Sequence, residues 1–260
     1  MKIRDDVKYF IINGKLTPLE DFPFSFYHNR RSVYEVIRYD GNYLFKDSHL
    51  KRLQNSFRIA FPRSSFNPLP SDGDLIKIIE KNNINKGNVR IEVFEEIKTI
   101  LVFLIPHFYP PAGYYEQGVD TVFQFDERPL KNAKLFAPRI RERANEIIAR
   151  EGVFETILVN SAGYITEGSR SNVFFIAGDK VITPPDNQVL PGITRNNVIK
   201  FLETNDISLE FRKISKDEIE MFDSMFLTGT SIGALPCRRL QSRQFDLKNP
   251  LLGKIIDGFN

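Results

Sequence analysis

Residues 163–175 read Gly-Tyr-Ile-Thr-Glu-Gly-Ser-Arg-Ser-Asn-Val-Phe-Phe. A β-rich run ends on a carboxylate, Glu167, a short polar turn follows, and a second apolar run covers Asn172–Ala177. The reading extends outward to more strands: Thr156–Asn160 on one side, reached through Ser161-Ala162-Gly163, and Lys180–Thr183 on the other, across Gly178-Asp179. Read alone, Glu167 is either a solvated acid at a strand edge or a functional carboxylate.

Further along, Leu190-Pro-Gly-Ile-Thr-Arg195 places a Pro-Gly turn before a helix expected over Arg195–Glu203, with Thr194 as its N-cap. Backbone N–H groups at such a start suit an anion, although an ordinary capped helix has the same pattern. In residues 226–236, Phe-Leu-Thr-Gly-Thr-Ser-Ile-Gly-Ala-Leu-Pro, hydroxyl side chains and Gly229 follow a strand over Ser224–Leu227. That setting serves an oxyanion or a plain turn equally well. Ser215 and Glu218 form a capping-box pattern, and Leu251–Phe259 closes the sequence as a helix. Upstream, Val119–Phe125 reads as a strand, and Ile140–Gly152 as a helix with Ile140, Ala144, Ile147 and Ile148 inward. Lys134 stands just before that helix.

The first half opens with a hairpin, Lys8–Ile12 turning at Asn13-Gly14. Val33–Asp40 is a strand, Gly41-Asn42 a turn, and Tyr43–Phe45 a return strand. A helix capped by Ser48 carries Leu50, Leu53, Phe57 and Ala60 on one stripe, with Arg52, Ser56 and Ile59 on a neighbouring face. Arg52 is therefore available as a donor to a phosphate or as a solvated arginine. A helix over Leu75–Asn82 and strands over Asn88–Glu95 and Ile100–Pro106 follow. Three prolines and two glycines in 106–118 mark 108–118 as a linker between domains 1–107 and 119–260.

Composition narrows the classes. A net charge of +3 gives no reason to expect nucleic acid or an anionic membrane, and the densest basic run, Arg139–Arg143, reads as the solvated face of a helix. Cys237 is the only cysteine, so neither an intrachain disulfide nor a cysteine metal cluster is possible. His28, His49 and His107 lack ligand spacing, and no metal is expected. With no signal-like start and no apolar run of about 18 residues, the chain reads as cytoplasmic.

In order and spacing, INGK (12–15), VYEVIR (33–38), HLKRL (49–53), GYITEGSRSNVFF (163–175), LPGITR (190–195) and TGTS (228–231) resemble the class IV aminotransferases, pyridoxal-phosphate proteins of fold type IV, across most of the chain. The resemblance implies an α/β (α+β) fold of two domains, a small N-terminal one and a larger cofactor-binding one, with pyridoxal 5'-phosphate between them, and a homodimer. It implies that Lys134 carries the cofactor and moves the substrate proton, with Lys131 as the second candidate. Glu167 would pair with the pyridine nitrogen. Arg52, the N–H groups of Ile193 and Thr194, and Thr230 would hold the phosphate, and Leu190 would pack on the ring. Tyr34, Arg38, Arg90, Ser231 and Ile232 would surround the substrate.

The implied activity is transfer of an amino group between an amino acid and a 2-oxo acid. Aminodeoxychorismate lyases share the layout and would release pyruvate and 4-aminobenzoate instead; a cofactor-binding homologue without turnover is a third reading. The sequence departs from the family pattern at three places: Arg30-Arg31-Ser32 stands where Gly-Asp-Gly is common, Arg139 where branched-chain members have tyrosine, and 95–99 lacks an Arg-x-His carboxylate trap.

Overall fold

A computed structural model describes residues 2–28 and 30–259; the outer limits of the two expected domains, Met1 and Asn260, lie outside these residues. Contacts divide the chain into two compact units, Met1–Phe108 with Ala133–Phe136, and Tyr109–Asn132 with Ala137–Asn260. Within the stretch read as a linker, Ala112–Gln117 is helical. Among the described residues no helix is long and apolar enough to cross a membrane.

The first unit is built on an antiparallel sheet of β1 (Tyr9–Ile12), β2 (Lys15–Pro18), β3 (Ser32–Asp40), β4 (Asn42–Tyr43), β5 (Lys86–Phe94) and β6 (Thr99–Ile105), in the order β2-β1-β6-β5-β3-β4. Asn13 and Gly14 both take positive φ, as a two-residue hairpin turn requires. Alternation along β3 sends Val33, Glu35 and Ile37 to one face and Ser32 and Tyr34 to the other. Helix α1 (Lys46–Ala60) packs on the Glu35 face, and α2 (Asp72–Lys81) lies against β1 and β6. On the Tyr34 face, Phe10, Phe22, Phe94, Leu101 and Phe103 form an apolar cluster.

Two local expectations are corrected here. Phe45 adopts φ 52 and turns the chain directly into Lys46. The return strand is thereby cut to Asn42–Tyr43, and Ser48 falls inside the first helical turn instead of capping it. The buried face of α1 is also rotated from the expected stripe: Leu53, Phe57 and Ala60 are buried, but so are His49, Arg52 and Ser56, while Ile59 is exposed. In α2 the helix starts earlier than Leu75, because Ser71 and Asp74 form a capping box.

The second unit contains α3 (Ala112–Gln117), β7 (Val119–Phe125), α4 (Pro138–Glu151), β8 (Glu155–Val159), β9 (Tyr164–Gly168), β10 (Asn172–Ala177), β11 (Lys180–Thr183), α5 (Ile193–Thr204), β12 (Ser208–Phe211), β13 (Ile214–Ser215), β14 (Ser224–Gly229), β15 (Gly233–Leu240), β16 (Arg243–Gln244) and α6 (Pro250–Phe259). The sheet order is β12-β11-β10-β14-β15-β7-β8-β9-β13, with β16 beside β15. It is mixed: β12 with β11, β15 with β7, and β7 with β8 are parallel. Both faces are covered, so β10 is apolar from Val173 onward. Val173 and Phe175 enter one core with Ile157, Met225 and Leu227; Phe174 and Ile176 enter the other with Val198 and Leu202 of α5 and Leu252 and Ile255 of α6.

Strand β15 was not legible because Pro236 interrupts it. Pro236 lies opposite Phe226, and pairing with β7 begins only at Cys237, beyond the position whose N–H proline lacks. Thr194 is likewise not the N-cap of α5: the helix starts at Ile193 with Gly192 as N-cap, and Thr194 lies buried in the first turn. A Cβ on Gly192 would stand 2.0 Å from Asn172 Oδ1, so the chain turns into the helix at the residue that can approach Asn172 this closely.

Gly118, between α3 and β7, has φ 64 and ψ 169, a region open essentially to glycine, and a Cβ there would meet Arg238 N at 2.8 Å. Gly118→Ala should cost about 1–3 kcal/mol, seen as a thermal midpoint lowered by about 2–4 °C per kcal/mol. An unchanged midpoint would show that this corner relaxes freely.

Candidate active site

The residues singled out from sequence fall into two sets, one in each unit. In the first unit the starting point is an open strand edge. β4 pairs only with Tyr39 and Asp40 of β3, leaving the same edge of Ser32–Tyr34 without a sheet neighbour on that side. Residues Ala133–Phe136 take the place: Tyr34 N–H donates to Lys134 O at 3.0 Å, Phe136 N–H donates to Ser32 O at 3.0 Å, and Val33 and Leu135 form a β-bridge. Lys134 N–H donates to Ser56 Oγ at 3.0 Å. The Lys134 backbone is therefore tied to both β3 and α1, and its Nζ lies 5.2 Å from the centre of the Tyr34 ring. Lys131, the second candidate, is paired with Glu127 at 2.5 Å.

On the helix face of β3, Glu35 is completely buried. Arg52 reaches it twice, Nε to Oε1 at 2.7 Å and Nη2 to Oε2 at 2.8 Å, and His49 Nδ1 lies 2.9 Å from Oε2. Burial alone would raise the Glu35 carboxyl, but the Arg52 charge and the hydrogen bonds from Arg52 and His49 outweigh it and hold the group well below the usual carboxylate range. For His49 burial is the larger influence and lowers its pKa against the pull of Glu35. The reading of Arg52 as solvated is thus overturned, because an uncompensated carboxylate inside the Val33–Ile37 face demands a cation and α1 presents one.

On the opposite face, Arg90 lies over the Tyr34 ring, 3.9 Å from its centre, and 5.2 Å from that of Phe136. Its Nε donates to Glu92, which also accepts from Ser32 Oγ at 2.5 Å and Tyr27 OH at 3.3 Å. Glu92 keeps the Arg90 guanidinium above its ordinary value despite the larger opposing effect of burial. Tyr34, Arg90 and Lys134 are thus brought together within this unit. Arg38 stands further along β3 in a different group, with Nη2 on Asp40 at 2.9 Å beside Lys86.

In the second unit, Glu167 stands one residue before the end of β9 and is buried, not solvated. Arg128 Nε donates to its Oε1 at 2.7 Å and Leu190 N–H to its Oε2 at 3.3 Å. Arg128 Nη2 also donates to Ser169 O at 2.9 Å. The turn after Glu167 is gathered by a second buried acid, Glu155, which accepts from Ser169 Oγ (2.7 Å), Ser171 Oγ (3.1 Å) and Arg170 N–H (3.1 Å). Leu190 is held from its other side by Asn172 Nδ2, which donates to its carbonyl at 2.9 Å. Arg195, fully buried in α5, donates to Asp186 Oδ1 at 2.6 Å and Pro184 O at 3.0 Å, fixing the approach to the helix. Ile193 and Thr194 fill its first turn, where N–H groups have no partner inside the helix. Opposite Asn172 on β14, the buried Thr228 hydroxyl has no hydrogen bond among the described residues. Thr230, Ser231 and Ile232 form the half-buried turn from β14 to β15.

Sequence reasoning missed Glu35, Glu92, Arg128 and Glu155. A signal existed for the first: Glu35 sits between two apolar residues of the same strand face, and His49 and Arg52 are spaced to meet it from one helix face. For Arg128 there was none, since its partner lies 39 residues away. No group of His, Cys, Asp and Glu among the described residues is arranged to hold a metal ion.

The amino-transferase class IV family model matches residues 32–240. Among curated proteins, the chain is 28% identical over 272 residues to the "Probable branched-chain-amino-acid aminotransferase" of Aquifex aeolicus (strain VF5), covering 91% of this chain and 85% of that one. It is 28% identical over 223 residues to the D-alanine aminotransferase of Bacillus licheniformis, covering 78% and 77%. Among solved structures, the branched-chain amino acid aminotransferase of Escherichia coli superposes with a TM-score of 0.81 at 24% identity, over 96% of this chain and 93% of that one.

The Glu35 cluster gives a pH signature. A carboxyl held lower in the folded chain contributes stability that is complete above its unfolded value of about 4.3 and is lost as pH falls through that value towards the folded one. Glu35→Gln should lose about 3–5 kcal/mol near neutral pH, leaving Arg52 uncompensated, and should show a shallower acid loss than the parent. Parallel pH–stability curves for the two proteins would contradict this.

Proposed function

This chain belongs to the class IV aminotransferase family, and from that premise we propose that it is a pyridoxal-phosphate-dependent enzyme that moves an amino group between an amino acid and a 2-oxo acid. The observation that carries the reading is the seating of Lys134: its backbone is fixed on β3 and α1, with its amine beside the Tyr34 ring. A fixed lysine is what a covalently held carbonyl cofactor needs. The chemistry of the remaining residues fits such a group. The second unit offers a buried acid, a buried hydroxyl without a partner, and a glycine that admits no Cβ at the start of α5.

Pyridoxal phosphate, when bound, supplies an electron sink that makes the substrate α C–H acidic. The protein's part is proton movement and binding. Lys134 Nζ would take the proton from the substrate α-carbon and deliver it to the C4′ carbon of the cofactor, the net shift that transfer of an amino group requires. Glu167, oriented by Arg128 and the Leu190 N–H, pairs with the ring nitrogen. Arg52, turned by Glu35, would be the first unit's donor to the phosphate, and the N–H groups of Ile193 and Thr194 with the Thr230 hydroxyl would be the second unit's, since a helix start and a guanidinium both favour an anion. Leu190 would cover the ring; Tyr34 and Arg90 of the first unit and Ser231 and Ile232 of the second would receive the substrate, while Arg38 stays with Asp40. We place the enzyme in the cytoplasm, as a homodimer.

The test is spectroscopic. With pyridoxal phosphate, the protein should show the visible band of a lysine-bound cofactor, and one amino acid of a panel should convert it to pyridoxamine phosphate. Lys134→Ala should lose the band while remaining folded; a retained band would transfer the role to Lys131. Pyruvate release from aminodeoxychorismate with no conversion by any amino acid would replace transamination by elimination. Glu167→Ala should reduce turnover more than cofactor retention, and equal turnover would remove Glu167 from the mechanism.

A further inference from the structure

Glu92 is a carboxylate with no exposed surface on the Tyr34 face of the first unit's sheet. Three donors converge on it: Ser32 Oγ on β3, Tyr27 OH from the segment before β3, and Arg90 Nε two residues away on the same face of β5. Acceptance of three donors is the arrangement an ionised carboxylate takes when buried. Arg90 is nine-tenths buried, and its Nη2 is enclosed without a hydrogen bond among the described residues. The rings of Tyr34 and Phe136 flank its guanidinium, and Lys134 Nζ approaches the same Tyr34 ring. A buried donor left unpaired costs about 1–3 kcal/mol and calls for an acceptor.

An unpaired arginine offers a carboxylate a full positive charge and two parallel N–H bonds. Arg90 lacks the first. Glu92 occupies Nε and cancels the charge, so a second carboxylate brought to the guanidinium would meet Glu92 as a like charge. What remains is the terminal nitrogens of a neutralised guanidinium among aromatic rings, with Nη2 enclosed and without an acceptor, a surface suited to apolar carbon with little net charge of its own.

Resting on the reading above that Arg90 lines the substrate site, we infer that Glu92 is a specificity-determining residue: by neutralising Arg90 it selects amino acids and 2-oxo acids with uncharged side chains and disfavours dicarboxylic ones. Glu92 itself touches no reacting atom; it acts through Arg90.

Calorimetric titration of the cofactor-loaded protein with two unreactive probes, 4-methylpentanoate and glutarate, tests this. The parent should bind 4-methylpentanoate more tightly. Glu92→Gln, which keeps the shape and removes the charge, should shift the ratio of the two Kd values towards glutarate by about tenfold or more. The half-reaction kcat/KM ratio for leucine against glutamate should move the same way. An unchanged Kd ratio, with both probes weakened alike, assigns Glu92 a purely structural role and overturns the inference. Should Glu92→Gln not fold, the parent decides alone, because tighter binding of glutarate overturns the inference and tighter binding of 4-methylpentanoate supports it. The visible band reports separately on the cofactor reading, since either probe can bind whether or not that band is present.

Discussion

Two hydrogen bonds across the open edge of β3 fix the residue on which the proposed chemistry depends: Tyr34 N–H to Lys134 O and Phe136 N–H to Ser32 O. A strand edge left unpaired exposes donors and acceptors that must be satisfied. Here the missing neighbour is supplied by four residues that return from far along the chain, and Lys134 is among them. Its backbone geometry is thereby set by sheet pairing and not by the loop that leads to it. The chain leaves the first unit after Phe108, returns for 133–136, and departs again, so this short pairing decides where the lysine is held.

The same strand segregates two kinds of electrostatics on its two faces. Glu35 turns to α1 and holds Arg52 and His49; Tyr34 turns away and lies beneath Arg90. Adjacent residues serve opposite faces because side chains alternate along a strand, so a one-residue slip of β3 would exchange the two sets. The nine-residue pairing with β5 excludes such a slip, and it also fixes Arg90 and Glu92 on the Tyr34 face.

In the second unit, buried acids again organise the backbone. Glu155 gathers the turn after Glu167, while Arg128 clamps Glu167 itself and the carbonyl of Ser169. Asn172 and Glu167 hold Leu190 from either side, and Arg195 anchors the approach to α5. Glu155, Glu167 and Asn172 are all buried, and each has the partners its burial requires. The buried Thr228 hydroxyl, opposite Asn172 on β14, is left without a hydrogen bond among the described residues.

Most strands and helices were legible from periodicity and turn residues: the Asn13-Gly14 hairpin, β3, β7, β10, α4 and α6 all follow local rules. Helix starts were less legible, because Phe45 enters α1 through a left-handed backbone turn and Gly192 lies close against Asn172, which displaces Ser48 and Thr194 from the cap. The order of the short motifs determined the family, since those residues form a pattern along the chain that needs no contact to be seen. Only the tertiary structure decided which charges meet. Arg52 was ambiguous until Glu35 was found buried beneath it, and Arg128 and Glu92 carried no signal at all, because the free energy that makes an ion pair matter arises from burial, which a sequence does not contain.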